Sequence, residues 1–230
     1  MRASTSPNRD ARPGSGAIDA LILHYTGMAD AKAALARLCD PAARVSAHYL
    51  IDEDGSVIAL VPEELRAWHA GLSVWQGAQH LNDRSIGIEL VNPGHEFGYR
   101  PFPDAQYGAC IELCQAILRR WPIPARRVLA HSDVAPSRKQ DPGELFDWQR
   151  LAEAGIGLWP AQVGVGRPRP VADLQRDLAR YGYGLPQSGV MDAQTRDVLI
   201  AFQRHFRPER IDGRPDGPTL ARLGALLALV

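Results

Sequence analysis

Two histidines and one aspartate stand where short apolar runs end or just beyond them. His24 closes Leu21-Ile22-Leu23-His24, His131 closes Val128-Leu129-Ala130-His131, and Asp141 lies in the irregular stretch Arg138-Lys139-Gln140-Asp141-Pro142-Gly143. Strand ends and the loops past them are where α/β sheets bind ligands. Two imidazoles and a carboxylate suit Zn²⁺ and leave a fourth position for water, the arrangement of a catalytic site and not of a closed structural one. Such an ion brings the pKa of its water down to about 7. Residue types alone do not single this set out, because the chain has seven histidines and a strand-end histidine commonly serves as a hydrogen-bonded structural residue.

Glu89 sits inside Ser85-Ile86-Gly87-Ile88-Glu89-Leu90-Val91 and faces away from Ile86, Ile88 and Leu90. Desolvation would lift a carboxyl there into the range useful for moving protons, and the alternative is a solvated edge-strand residue. Lys139, two residues before Asp141, either stabilises a developing oxyanion or is an ordinary exposed loop lysine.

The elements that must position these residues alternate between strand and helix, which predicts an α/β domain. Ile18 to Tyr25 reads as a buried strand and Asp30 to Leu38 as a helix with Asp30 near its N-cap. Residues 47–52 and 57–61 read as strands joined by a Glu53-Asp54-Gly55 turn, and Ser85 to Val91 as another. Tyr107, Cys110, Ile111, Cys114, Ile117, Leu118 and Trp121 share one stripe of a helix ending near Arg120, and residues 127–130 form the strand leading into His131. Beyond the Pro/Gly segment 161–170, three apolar stripes predict three short helices: Val171 to Tyr181, Val198 to Phe206 and Leu220 to Leu227. The expected organisation is a flexible N-terminal segment 1–17, a catalytic domain 18–160, a linker 161–170 and a helical domain 171–230.

Composition narrows the function classes. The 230 residues are 45% hydrophobic and 23% charged, an ordinary globular balance. No apolar run approaches the ~20 residues of a membrane span. Twenty-six basic residues match twenty-six acidic ones, so nothing favours nucleic acid or an anionic membrane as partner. Ten arginines against seven acidic residues from Arg167 onward are too mild an excess to change that. Cys39, Cys110 and Cys114 lack disulfide or zinc-knuckle spacing, and the last two read as buried apolar residues. Residues 1–16 contain no apolar export segment, which predicts a cytoplasmic protein, or a periplasmic or envelope one if such a segment has been removed.

Several stretches, in order along the chain, closely resemble the zinc-dependent N-acetylmuramoyl-L-alanine amidases of the AmiD and AmpD type: Leu23-His-Tyr-Thr26, Ser46-Ala-His-Tyr-Leu-Ile-Asp52, Ala67-Trp-His-Ala-Gly71, residues 81–92 and residues 130–143. The resemblance runs from about Ile18 to Trp159. It implies a peptidoglycan-recognition-protein-like fold, α/β with a central mixed β-sheet flanked by helices, and one Zn²⁺ per chain. The implied reaction is hydrolysis of the amide between N-acetylmuramic acid, or its 1,6-anhydro form, and L-alanine in cell-wall turnover or recycling. Carried over by motif, His24, His131 and Asp141 correspond to zinc ligands, Glu89 to the general acid/base and Lys139 to the oxyanion-stabilising lysine. His69 and Asn92 fall in matching segments and are expected near the substrate groove, His48 is expected to stabilise the sheet, and His80, His95 and His205 are expected in structural or exposed places. Ala130 departs from the glycine frequent in that family. Residues 171–230 resemble a three-helix peptidoglycan-binding module, so the expected partners are peptidoglycan or (anhydro)muropeptides. The alternative on the same fold is a recognition protein that binds muropeptides without cutting them, against which the full ligand set with Glu89 argues.

Overall fold

The computed structural model describes residues 2–14, 16–160 and 164–230. A six-stranded mixed sheet runs in the order β1 (Arg2–Ala3), β5 (Val57–Ala59), β4 (Tyr49–Ile51), β9 (Ser85–Leu90), β3 (Ala20–Tyr25), β10 (Val128–Ala130). The four strands from β4 to β10 are mutually parallel, and β5 is antiparallel to β4 through the expected Glu53-Asp54-Gly55 turn. Strand period then sorts the side chains. Leu21 and Leu23 of β3 and Ile86, Ile88 and Leu90 of β9 point to one face, where Tyr107, Cys110, Cys114 and Ile117 of α3 (Asp104–Arg120) cover them. Each of these strand side chains contributes about 1.5–3 kcal/mol by its burial. Both helical cysteines are buried free thiols.

The opposite face is divided. Ala34 and Leu38 of α1 (Ala31–Cys39), which starts at the Asp30 cap, pack on Leu50 of β4. Ile22 and Leu129, on β3 and β10, belong instead to an apolar cluster shared with α6 (Val171–Tyr181), α7 (Ala193–Phe206) and α8 (Gly217–Leu227). Between these two covers, at the C-terminal ends of β3 and β9, the sheet face is left for side chains that do chemistry.

One expectation changes. The N-terminal segment 1–17, expected to be flexible, is tied down over its described residues. Its β1 pairs with β5, and β2 (Arg9–Ala11) pairs with β6 (Leu65–Ala67). Arg12 is 9% exposed and donates to the carbonyls of Glu63, Asn82 and Ser85. Polar side chains reaching backbone carbonyls leave no hydrophobic period, so the sequence carries little trace of this docking. The three C-terminal helices form as expected, and Leu174, Leu178, Val198 and Phe202 share one core with Ile22, Trp75, Leu129 and Val134. The hairpin of β7 (Val74–Trp75) and β8 (Ala78–Gln79) joins them, with Trp75 bridging Tyr183 and the Gln76 N–H donating to the Gly182 carbonyl. Of the linker expected at 161–170, residues 161–163 lie outside the described residues, and the Gly166 N–H donates to the Gly217 carbonyl.

Candidate active site

Register brings the predicted residues together. Pairing of β3 with β9 sets His24 directly beside Glu89, with both side chains on the face away from Ile88. Pairing of β10 with β3 sets Ala130 beside Leu23, so the next residue, His131, arrives next to His24 as the first residue of α4 (His131–Val134). The Ser132 N–H donates to the Asp141 carbonyl at 3.0 Å, which ties the irregular loop to this turn. The outcome is a triangle: His24 Nδ1 to His131 Nδ1 is 2.9 Å, His24 Nδ1 to Asp141 Oδ2 3.0 Å, and His131 Nδ1 to Asp141 Oδ2 2.9 Å. All three residues are buried.

The surrounding hydrogen bonds determine what these atoms can be. The Ser85 hydroxyl donates to the Leu81 carbonyl at 2.6 Å, so its oxygen is left to accept from His69 Nε2–H at 3.2 Å. Burial, then the neighbouring imidazoles, hold His69 neutral with its pKa well below the ordinary value, so its Nδ1 is an acceptor and takes the His24 Nε2–H at 3.1 Å. Burial likewise lowers His24 to about 4, which leaves a bare lone pair on its Nδ1. His131 Nε2 faces the Ala70 carbonyl at 3.2 Å, an acceptor only, so that nitrogen carries a proton and Nδ1 is turned to the triangle. Two imidazole nitrogens and one carboxylate oxygen therefore converge within 3.0 Å of one another. These three side chains could hold a metal ion, since two imidazoles and a carboxylate are donors of the kind divalent metals take.

The triangle opens onto a cleft of about 390 Å³ that Glu89, Lys139, His69, Trp68 and Tyr25 help to line. Glu89 Oε2 is buried without a hydrogen-bond partner. Burial raises the Glu89 pKa well above the carboxylate range, the Asp141 charge adds to that, and Lys139 partly opposes it. The alternative of a solvated edge-strand residue is thereby excluded, since β9 is central in the sheet.

Two of the predicted substrate contacts sit differently. His69 reaches the cleft, but both its ring nitrogens are engaged, by His24 and Ser85, so it orients the His24 ring. Asn92 is fully buried away from the cleft: its Nδ2 donates to the Arg100 carbonyl at 2.7 Å and its Oδ1 accepts from the Gly94 N–H at 3.0 Å, which fixes the loop after β9. A polar motif residue and a polar loop lock read alike in sequence. His48 lies within the sheet, accepting from the Gly87 N–H at 2.9 Å. His95 bonds Tyr25 and Glu144, His80 is exposed and His205 is buried. The relay through His69 and Ser85 escaped sequence reasoning, although Gly87 hinted at it. A lone glycine inside a strand often marks a close approach, and a Cβ there would lie 2.5 Å from the His69 ring.

A mixed sheet carrying this buried His-His-Asp set beside a half-buried glutamate agrees with what comparison with known proteins finds. The family model of N-acetylmuramoyl-L-alanine amidase matches residues 14–144, and that of a peptidoglycan binding domain matches residues 167–223. The chain belongs to the N-acetylmuramoyl-L-alanine amidase family. Among its relatives, the N-acetylmuramoyl-L-alanine amidase AmiD of Escherichia coli is 42% identical over 95% of this chain and 86% of the relative's length. The crystallised AmiD complex superposes with a TM-score of 0.84, covering 96% of this chain and 93% of that one at 40% identity. AmpDh3 from Pseudomonas aeruginosa also gives 0.84, at 38% identity over 96% of this chain and 95% of that one. The 1,6-anhydro-N-acetylmuramyl-L-alanine amidase AmpD of Haemophilus influenzae is 36% identical over 65% of this chain and 89% of its own length.

Proposed function

We propose that this chain hydrolyses the amide joining N-acetylmuramic acid, or its 1,6-anhydro form, to L-alanine, with one zinc ion held by His24, His131 and Asp141. The observation that carries this reading is the convergence of two imidazole nitrogens and a carboxylate oxygen, within 3.0 Å of one another, beside the buried and unpartnered Glu89 Oε2. The family supports it, as does the AmiD structure, which holds anhydro-N-acetylmuramic acid-L-Ala-D-γ-Glu-L-Lys as its substrate.

When bound, such an ion supplies Lewis acidity and a water of lowered pKa. The chain's own groups do the rest. Glu89 lies beside His24 across the β3–β9 pair and takes the proton of the attacking water as the carbon–oxygen bond forms at the lactyl carbonyl. Its raised pKa makes it able to keep that proton and then give it to the alanine nitrogen as the carbon–nitrogen bond breaks, which is required because an unprotonated amide nitrogen would have to leave as an anion. The Lys139 ammonium, on the same cleft wall, stabilises the oxyanion that develops between those events. His69 keeps the His24 lone pair aimed into the site throughout.

Metal analysis tests the ligand assignment. The purified chain is expected to hold one zinc ion, and His24→Ala and Asp141→Ala to hold less under the same dialysis; unchanged metal content in either variant removes that residue from the set.

A further inference from the structure

Asp133 lies two residues past His131 in α4, is 1% exposed and belongs to no step above. Its carboxylate gathers three donors from three parts of the chain. Oδ2 accepts from the Ala130 N–H at 2.8 Å, which closes the turn carrying His131, and from His205 Nδ1 at 2.7 Å. Oδ1 accepts from the Tyr183 hydroxyl at 2.7 Å. Tyr183 and His205 both belong to the segment 167–223 that matches a peptidoglycan binding domain. Neither is loosely held: Tyr183 packs edge-on against Trp75 at 4.9 Å between ring centroids, and His205 is stacked between Trp148 and Phe206, each at 3.8 Å.

We propose that Tyr183 and His205 are positioning residues of the metal site, acting through Asp133, so that the C-terminal helices complete the scaffold of the catalytic centre in addition to any part they play in binding polymer. The physical argument is geometric. His131 begins a four-residue helix, too short to hold itself. Its direction is set by what binds the turn on either side: the Asp141 carbonyl on one, Asp133 on the other. A buried carboxylate deprived of a donor must find another, and the nearest movable backbone is the turn that aims His131. Partners one bond beyond a ligand typically change metal affinity 10–100-fold when removed. Tyr183 acts one bond further out, so its effect is expected at about three- to tenfold.

The inference rests on the metal reading and is tested apart from it. Zinc affinity of the full chain is measured by competition with a chromophoric chelator, alongside the visible spectrum of the cobalt-loaded protein and the melting temperature. The variants are Tyr183→Phe and Asp133→Ala, with Val198→Ala as a control that thins the shared core without touching Asp133. Tyr183→Phe is expected to weaken zinc about three- to tenfold and alter the cobalt spectrum, whereas Val198→Ala lowers the melting temperature and leaves both metal readouts unchanged. Should Asp133→Ala fail to fold, Tyr183→Phe alone carries the test. If Tyr183→Phe merely melts earlier, with wild-type zinc affinity and cobalt spectrum, the inference falls and the metal reading stands. If the wild type binds no zinc, both fall.

Discussion

The Nδ1 atoms of His24 and His131 meet the Asp141 carboxylate at 3.0 and 2.9 Å, and the far nitrogen of each ring is committed elsewhere, to His69 and to the Ala70 carbonyl. That commitment is a testable property of single residues. Replacing His69 by alanine frees the His24 tautomer, and zinc affinity is expected to fall about 10–100-fold, measurable by chelator competition, while circular dichroism stays native. Glu89→Gln keeps the shape of the side chain and removes its basicity, so one zinc per chain is expected to remain with turnover reduced at least about 100-fold in a muropeptide assay. At this scale the sequence was legible where a motif places a residue and opaque where geometry reassigns it. His24, His131, Asp141, Glu89 and Lys139 all line or form the one site. His69 and Asn92 carried the same motif signal, but whether a polar side chain faces a cleft or locks a loop depends on bonds to distant backbone, such as Asn92 to Arg100.

The strand β9 does two jobs with alternate residues. Its Ile86, Ile88 and Leu90 anchor the α3 layer, and Ser85, Gly87 and Glu89 serve the site on the other face. The two jobs are separable by mutation. Ile88→Ala is expected to cost about 2–5 kcal/mol in urea unfolding with the metal site still formed in the folded fraction. Gly87→Ala does the reverse: its added methyl would overlap the His69 ring at 2.5 Å, so metal affinity is expected to fall more than its effect on unfolding explains. Strand and helix positions were readable because apolar periods of two and 3.6 leave their mark on sequence. The docking of the first residues was not, because it runs through Ser6, Asn8 and Arg12, whose donors reach carbonyls of Leu38, Val45 and Ser85 far along the chain. Arg12→Ala is expected to destabilise the fold by about 1–3 kcal/mol, read by chemical denaturation, through carbonyls left unpaired.

Across the whole molecule, burial of neutral imidazoles links stability to pH. His48 is lowered to about 3 and His24 to about 4, chiefly by desolvation, so neither takes up the proton that it accepts in the unfolded chain near 6.5. Unfolding then gains protons on the acid side, and the metal-free protein is expected to lose stability steadily from pH 6.5 to 4, at about 1.4 kcal/mol per pH unit for each such histidine. Urea midpoints at pH 7 and 5 check this, and equal midpoints would contradict it. The shared core of Ile22, Leu129 and the C-terminal helices further predicts one cooperative transition for the chain in place of two. The sequence announced those helices but not their merger with the catalytic layers, since an apolar stripe says that a face is covered and not by what. The central claim is amide hydrolysis at the muramic acid–alanine bond through this site. Its most direct test is mass spectrometry of 1,6-anhydro-N-acetylmuramic acid tripeptide after incubation with the full chain, with and without a zinc chelator. Release of an intact tripeptide beginning at L-alanine, abolished by the chelator and restored by zinc, is the predicted result. An uncut substrate in the presence of zinc-loaded protein, or cleavage within the peptide, would contradict the account.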